Sequence, residues 1–137
     1  MNRSKRGFTL LELIIVVIVI GILASIALPR YIRIAEKGRA SEAKSLLGAV
    51  RASQFRYAAQ YGTYAGCVTY LDLNFPTQSR FFVFTATGAG SNLSDNAAVL
   101  GQATRTTTDN PFGTEQYVVN ISMDGNITAS GSGASVL

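Results

Sequence analysis

The sequence predicts an α+β protein in which one long N-terminal helix is followed by a small strand-forming head. Three observations predict it. From Phe8 to Leu28 the chain reads FTLLELIIVVIVIGILASIAL, twenty-one residues whose only charged side chain is Glu12. From Pro29 onward apolar residues recur at helical spacing as far as Gly62. Beyond Gly62, short aromatic and β-branched runs bounded by Gly, Asn, Asp and Pro read as strands.

The apolar segment comes first. At 1.5 Å per residue it forms a helix of about 31 Å, the thickness of a bilayer's hydrocarbon core. Its many β-branched residues favour strand in water, but in lipid every backbone group must be bonded within the segment, so helix wins there. Arg3, Lys5 and Arg6 stand just upstream and belong on the cytoplasmic side under the positive-inside tendency. Glu12 does not fit a plain anchor, because an acid at membrane depth costs roughly 3 kcal/mol on insertion scales and takes a partner. A cut between Gly7 and Phe8 would create an ammonium group at the edge of the apolar segment. Placed on the first helical residue, that amine lies more than a turn from Glu12 of its own chain, so a neighbouring copy displaced along the axis is its natural source. Such pairing implies polymerisation.

Residues 29–62 continue the helix in a different character. Ala43, Leu46, Leu47, Val50, Tyr57, Ala58 and Tyr61 fall on one face, with Lys37, Ser41, Lys44 and Arg51 on the other. Pro29 marks a bend and Gly62 a C-terminal cap. A straight helix from Phe8 to Gly62 would reach about 80 Å. Glu36, Arg39 and Glu42, at three-residue spacing, read as ion pairs on a solvated face.

The seventy-five residues after Gly62 are few for an independent core, so the apolar stripe of the helix is their expected support. Residues 63–80 read as an irregular connection with Cys67 as a small packed residue. Phe81 to Thr87 reads as a strand, Gly88 to Asn92 as a turn, and Asn96 to Thr108 as a weaker strand; Asp109 to Gly113 breaks the chain. Tyr117 to Met123, Asp124-Gly125 and Asn126 to Ala129 make the clearest hairpin. Ser130 to Leu137, rich in Gly and Ser, is expected to be mobile.

Composition excludes several functions. The formal charge is +4, but without Arg3, Lys5 and Arg6 nine basic residues face eight acids, so bulk charge gives no support to nucleic-acid binding. With no His and a single Cys, the chain offers no catalytic triad, no convincing metal set and no internal disulfide. Gly88-Ala89-Gly90 lacks the third Gly of a dinucleotide fingerprint, since Leu93 takes its place. No catalytic residue, cofactor site or metal site is therefore assigned. Sequons at Asn92, Asn120 and Asn126 read mainly as chance in a chain rich in Ser, Thr and Asn.

Lys5-Arg6-Gly7-Phe8-Thr9-Leu10-Leu11-Glu12-Leu13 closely resembles the class III signal of type IV pilins and type II secretion pseudopilins. The resemblance covers roughly the first sixty residues. It implies a leader over 1–7, a transmembrane and filament-core helix over 8–28, its amphipathic continuation over 29–62 and an antiparallel β head over 63–137. It also implies that a prepilin peptidase cuts after Gly7 and that the Phe8 amine is methylated. Glu12, with the Phe8 amine, would then register incoming subunits. Gly21 and Pro29 match positions between which the family's helix can lose regularity. The expected partners are further copies of the chain in a helical filament, the cytoplasmic membrane before assembly, the peptidase, and an assembly platform with its ATPase. The expected location is the inner membrane for the precursor and an extracellular pilus after assembly.

Two other readings compete. A periplasmic type II secretion pseudopilin shares the signal, although the acidic calcium-binding end common in its major subunits is not apparent. A conventional secretory signal cut after Ala27, where Ser25-Ile26-Ala27 offers small residues, would release a soluble binding domain beginning at Leu28.

Overall fold

One helix, α1, runs from Leu10 to Tyr61, and four strands follow: β1 (Phe82–Ala86), β2 (Val99–Arg105), β3 (Tyr117–Ser122) and β4 (Ile127–Gly131), with short 3-10 turns at Val68–Tyr70 and Ser132–Val136. The structure is a computed structural model that describes residues 7–88, 98–107, 110 and 116–136. The strands form a single antiparallel sheet in the order β1-β2-β3-β4. The fold is the expected α+β arrangement of a long N-terminal helix and an antiparallel head. Residues 1–6, most of the Gly88 to Asn92 turn including the Asn92 sequon, the start of the Asn96 to Thr108 run, and all of Asp109 to Gly113 except Asn110 lie outside the described residues.

The chain divides into two compact units, Met1–Ile34 and Ala35–Leu137, and α1 contributes to both. In the first unit every side chain from Phe8 to Leu28 is exposed. α1 continues without interruption through Gly21 and Pro29. Because Pro29 has no N–H, it cannot donate the i→i−4 bond to the Ser25 carbonyl four residues back, which weakens this turn. The Ser25 hydroxyl is satisfied locally by donating to the Ile22 carbonyl at 2.7 Å.

In the second unit the helix buries Glu36, Ala40, Ala43, Leu47, Val50, Gln54 and Ala58, a stripe that advances by three or four residues at each step. Against it lie the inward residues of the sheet: Phe82 and Phe84 of β1, Ala103 of β2, and Tyr117, Val119 and Ile121 of β3. The sheet comes close because β2 has Gly101 there; a Cβ on Gly101 would stand 2.8 Å from Val50 Cγ1. Tyr61, expected on the stripe, is 59% exposed and stacks on Tyr57 at 4.5 Å instead. The helix ends at once beyond it, where Gly62 takes φ 72° and donates its N–H to the Ala58 carbonyl.

Two polar positions on the stripe tie the layers together. The buried Gln54 amide donates to the Ala65 and Leu100 carbonyls at 2.9 and 3.1 Å, and its oxygen accepts the Ala65 N–H at 2.8 Å. Glu36 is the other, and it corrects the sequence reading: the residue is fully buried, not on a solvated face. Its Oε1 accepts from Arg105 Nε at 2.6 Å and from the Tyr117 hydroxyl at 2.9 Å, while Oε2 accepts from Arg39 at 2.9 Å. Arg105 is itself fully buried, and it also donates to the Thr106 carbonyl at 3.0 Å. The three-residue spacing of Glu36 and Arg39 points to a solvated pair, but Arg105, 69 residues away, supplies the shorter contact. Glu42 is exposed, as expected.

Further corrections concern the head. Cys67 is exposed rather than packed, and a hydrogen bond from the Thr69 hydroxyl lowers its pKa. Arg51 is half-buried and donates to the Met123 carbonyl at 2.8 Å, holding the β3–β4 turn against the helix. That turn closes with Gly125 N–H on the Ser122 carbonyl, Asn126 N–H on the Asp124 carboxylate, and a Ser122 hydroxyl to Asp124 contact. The Gly- and Ser-rich end is ordered as the rest of β4 and the turn Ser132–Val136, because Gly133 fits tightly against the Tyr117 ring and Ala134 packs on the core.

Burial raises the Glu36 pKa, but the hydrogen bonds from Arg105, Tyr117 and Arg39 outweigh it, and the net pKa lies below its ordinary 4.5. Stability from this carboxylate is therefore complete above pH 4.5 and is lost as pH falls through the lower folded-state value. Glu36→Gln should cost about 3–5 kcal/mol at pH 7 by removing the buried carboxylate charge that Arg105, Arg39 and Tyr117 all bond. The gap between parent and variant should narrow as pH is lowered below 4.5, in urea denaturation of the detergent-solubilised chain followed by tyrosine near-UV circular dichroism. A gap that stays constant to acid pH would show that the Glu36 charge does not carry this stability.

Candidate functional site

The N-terminal end of α1 gathers the residues that the sequence singles out. Gly7 and Phe8 precede the helix, and Phe8 is 77% exposed. Thr9 is the N-cap: its Oγ1 accepts the Glu12 N–H at 3.2 Å, and its carbonyl accepts the Leu13 N–H at 3.3 Å. The first helical residue is thus Leu10, two positions later than the sequence reading placed it, because the Thr9 hydroxyl stops the helix there.

Capping gives Glu12 a local role that the sequence reading missed, though Thr-x-x-Glu before an apolar run is the signal for it. Glu12 stands at the third helical position, where its charge meets the positive end of the helix dipole. Phe8 lies just outside this cap. A cut between Gly7 and Phe8 would leave Thr9, Glu12 and the first turn intact while exposing an amine one residue before the cap.

Beyond the cap the helix presents apolar side chains on all sides, with Leu10 75% and Ile26 71% exposed. The helix is long and apolar enough to cross a membrane by length and composition. Ala24, Ala27, Leu28 and Tyr31 line a shallow apolar hollow on its surface. Gly21 and Pro29 lie in this same unit, but the structure brings neither of them to the Phe8 and Glu12 end. Among the described residues, no three His, Cys, Asp or Glu side chains group as a metal site.

An apolar helix that is capped at Thr9, carries one acid in its first turn and continues into the core of a small antiparallel head defines a class: α+β proteins with a long N-terminal helix apolar enough, by length and composition, to cross a membrane. Residues 2–28 match the family model of the prokaryotic N-terminal methylation motif. Over 99 residues the chain is 35% identical to the type IV major pilin protein PilA of Myxococcus xanthus, a match covering 72% of this chain and 45% of that protein. It is 33% identical over 105 residues to a fimbrial protein of Neisseria meningitidis serogroup A, covering 69% and 62%. It is 39% identical over 64 residues to the fimbrial protein EcpC of Eikenella corrodens, covering 47% and 42%. The chain belongs to the type IV pilin family. It spans between 42% and 62% of the length of these three relatives.

The cap is testable in the chain itself. Thr9→Val should destabilise the first turn by about 1 kcal/mol, and Thr9→Ser should retain it. Amide exchange in micelles should quicken at Leu10 to Leu13 in Thr9→Val alone; equal exchange in both variants would remove Thr9 from this role.

Proposed function

We propose that the chain is the structural subunit of a type IV pilus, cut after Gly7, methylated on the Phe8 amine, and polymerised through Phe8 to Leu28 into an extracellular helical filament. The observation that carries this reading is the largely apolar surface exposed around the whole segment, whose only charged side chain is Glu12. A bilayer covers that surface first, so the precursor resides in the inner membrane. Other copies cover it after extraction.

Lipid tails are as apolar as these side chains, so extraction gains little from hydrophobicity, and close packing with polar pairing must supply selectivity. Gly21 and Ser25, four residues apart, and the hollow lined by Ala24, Ala27 and Leu28 let a neighbouring helix approach closely. Glu12 supplies the polar pairing, with the Phe8 amine of a copy displaced along the axis. Within one chain Phe8 lies outside the helix and Glu12 in its first turn, which supports a partner from another copy. The section between Gly21 and Pro29 is the part proposed to loosen on assembly, because Pro29 removes one ladder donor and Gly21 adds backbone freedom there.

The peptidase, platform and ATPase are partners that this route requires. The names of the relatives, pilin and fimbrial protein, favour a pilus over a secretion pseudopilus. The role is that of a building block rather than an enzyme.

Glu12→Ala should insert into the membrane and be cleaved at the parental level, yet yield less than a tenth of the parental filament when it is the sole subunit. The assay is shearing of surface filaments with immunoblotting of the membrane and sheared fractions. Filaments at parental yield would remove the Glu12 pairing from the assembly step.

A further inference from the structure

The two edges of the sheet are treated differently. Alongside β1 runs the segment before it: Gln78 bridges Val83, the Phe84 N–H donates to the Thr77 carbonyl at 2.8 Å, and the Ser79 N–H donates to the Phe82 carbonyl at 2.8 Å. β4 forms the other edge, and all five of its residues are exposed. Edge strands offer open N–H and C=O groups to any approaching strand, and proteins commonly blunt them with charge, proline, a bulge or a covering segment. β4 has none of the first three. Asn126 to Gly131, NITASG, contains no charge and no proline, and its register with β3 runs unshifted from Ile121↔Ile127 to Tyr117↔Gly131.

The ladder sets which groups face outward. Ser122 donates its N–H to the Asn126 carbonyl, which makes 122 and 126 a bonded pair. Antiparallel alternation then turns the Thr128 and Ser130 backbone toward β3 and leaves the N–H and C=O groups of Ile127 and Ala129 pointing to the open side, while Gly131 leaves extended geometry at φ 105°. The side chains of Ile127 and Ala129 share the sheet face of Val119 and Ile121. Those two β3 residues are buried, whereas Ile127 is 37% exposed and Ala129 is exposed. Among the described residues, the apolar face of the sheet therefore extends beyond what the chain covers.

We propose that β4 pairs antiparallel with β4 of a second copy about a two-fold axis through Ala129, joining two four-stranded sheets. The strand is complementary to itself in that register. Ala129 faces Ala129, exchanging both backbone hydrogen bonds through groups already turned outward. Ile127 faces Gly131, a large residue against none, and Thr128 faces Ser130 on the outer face, where hydroxyls of opposed residues can bond. No charge meets a like charge anywhere along the contact. A contact that uses the same strand on both sides closes after two copies. It is thus separate from helix-mediated polymerisation and stands or falls independently of it.

Opposed residues in a bonded antiparallel pair have Cα atoms about 5.5 Å apart, within disulfide range. The test uses the full chain in mild detergent, with Cys67→Ala to remove the native thiol, and Ala129→Cys or, as a control for chance encounters, Ser41→Cys on the exposed side of α1. Mild oxidation should link Ala129→Cys into a species of twice the chain mass at least tenfold faster than Ser41→Cys. Adding Ile127→Lys should bring the Ala129→Cys rate to the control level with the tyrosine near-UV spectrum unchanged. Equal rates for Ala129→Cys and Ser41→Cys, or a rate unaffected by Ile127→Lys, would overturn the pairing.

Discussion

The chain carries an apolar surface that it leaves exposed, and the rest of its organisation depends on that constraint. Every side chain from Phe8 to Leu28 is exposed, and Glu12 is the only charge among them. Such a surface has two stable environments, lipid or other copies of itself, and a chain that moves between them needs a polar contact available only in the second. Glu12 sits where it can serve both. Its backbone N–H is held by Thr9, and its place at the third helical position puts the carboxyl group at the positive end of the helix dipole.

The second half of α1 solves a different problem, that of giving a small head enough core. The buried stripe from Glu36 to Ala58 supplies the floor under β1, β2 and β3. Apolar packing alone leaves the register between a helix and a sheet loosely set, since neighbouring positions offer similar area. Glu36 and Gln54 set it from the two ends. Glu36 must meet Arg105 and Tyr117, and Gln54 must meet Ala65 and Leu100; a shift by one turn would leave buried polar groups without partners. The chain has one cysteine and holds its C-terminal end through Gly133 and Ala134 packed at Tyr117 and the core.

Much of this was legible in the sequence, because the strongest signals are local. The apolar run, the apolar face of residues 43–58, the Gly62 cap and the Tyr117 to Ala129 hairpin all follow from spacing and turn chemistry within a few residues. What was misread depends on residues far apart in the chain. Glu36 looked like one member of a surface charge pattern, yet its spacing to Ala40, Ala43 and Leu47 places it on the buried stripe, and Arg105 takes an inward position on its strand. Cys67 was expected to pack, but the connection that carries it turns its side chain outward. The Ser130 to Val136 end is polar and small, which suggests mobility; a tight seat on an aromatic ring orders it, and composition does not record such a seat. At the N-terminal end the motif names Gly7, Phe8 and Glu12 locally, while the two-residue offset between Phe8 and the helix start depends on the Thr9 hydrogen bond.

The proposed route keeps the apolar half of α1 in the finished protein, with a new amine at its head, and does not discard it as a signal. The most direct measurement is the intact mass and N-terminal sequence of the chain recovered from the cell surface. A chain beginning at N-methylated Phe8 is the predicted result, because only that product retains both the apolar surface and the amine that Glu12 is proposed to meet. A chain beginning at Leu28 would contradict the account, since the whole exposed segment and Glu12 would have been removed before the protein reached its destination.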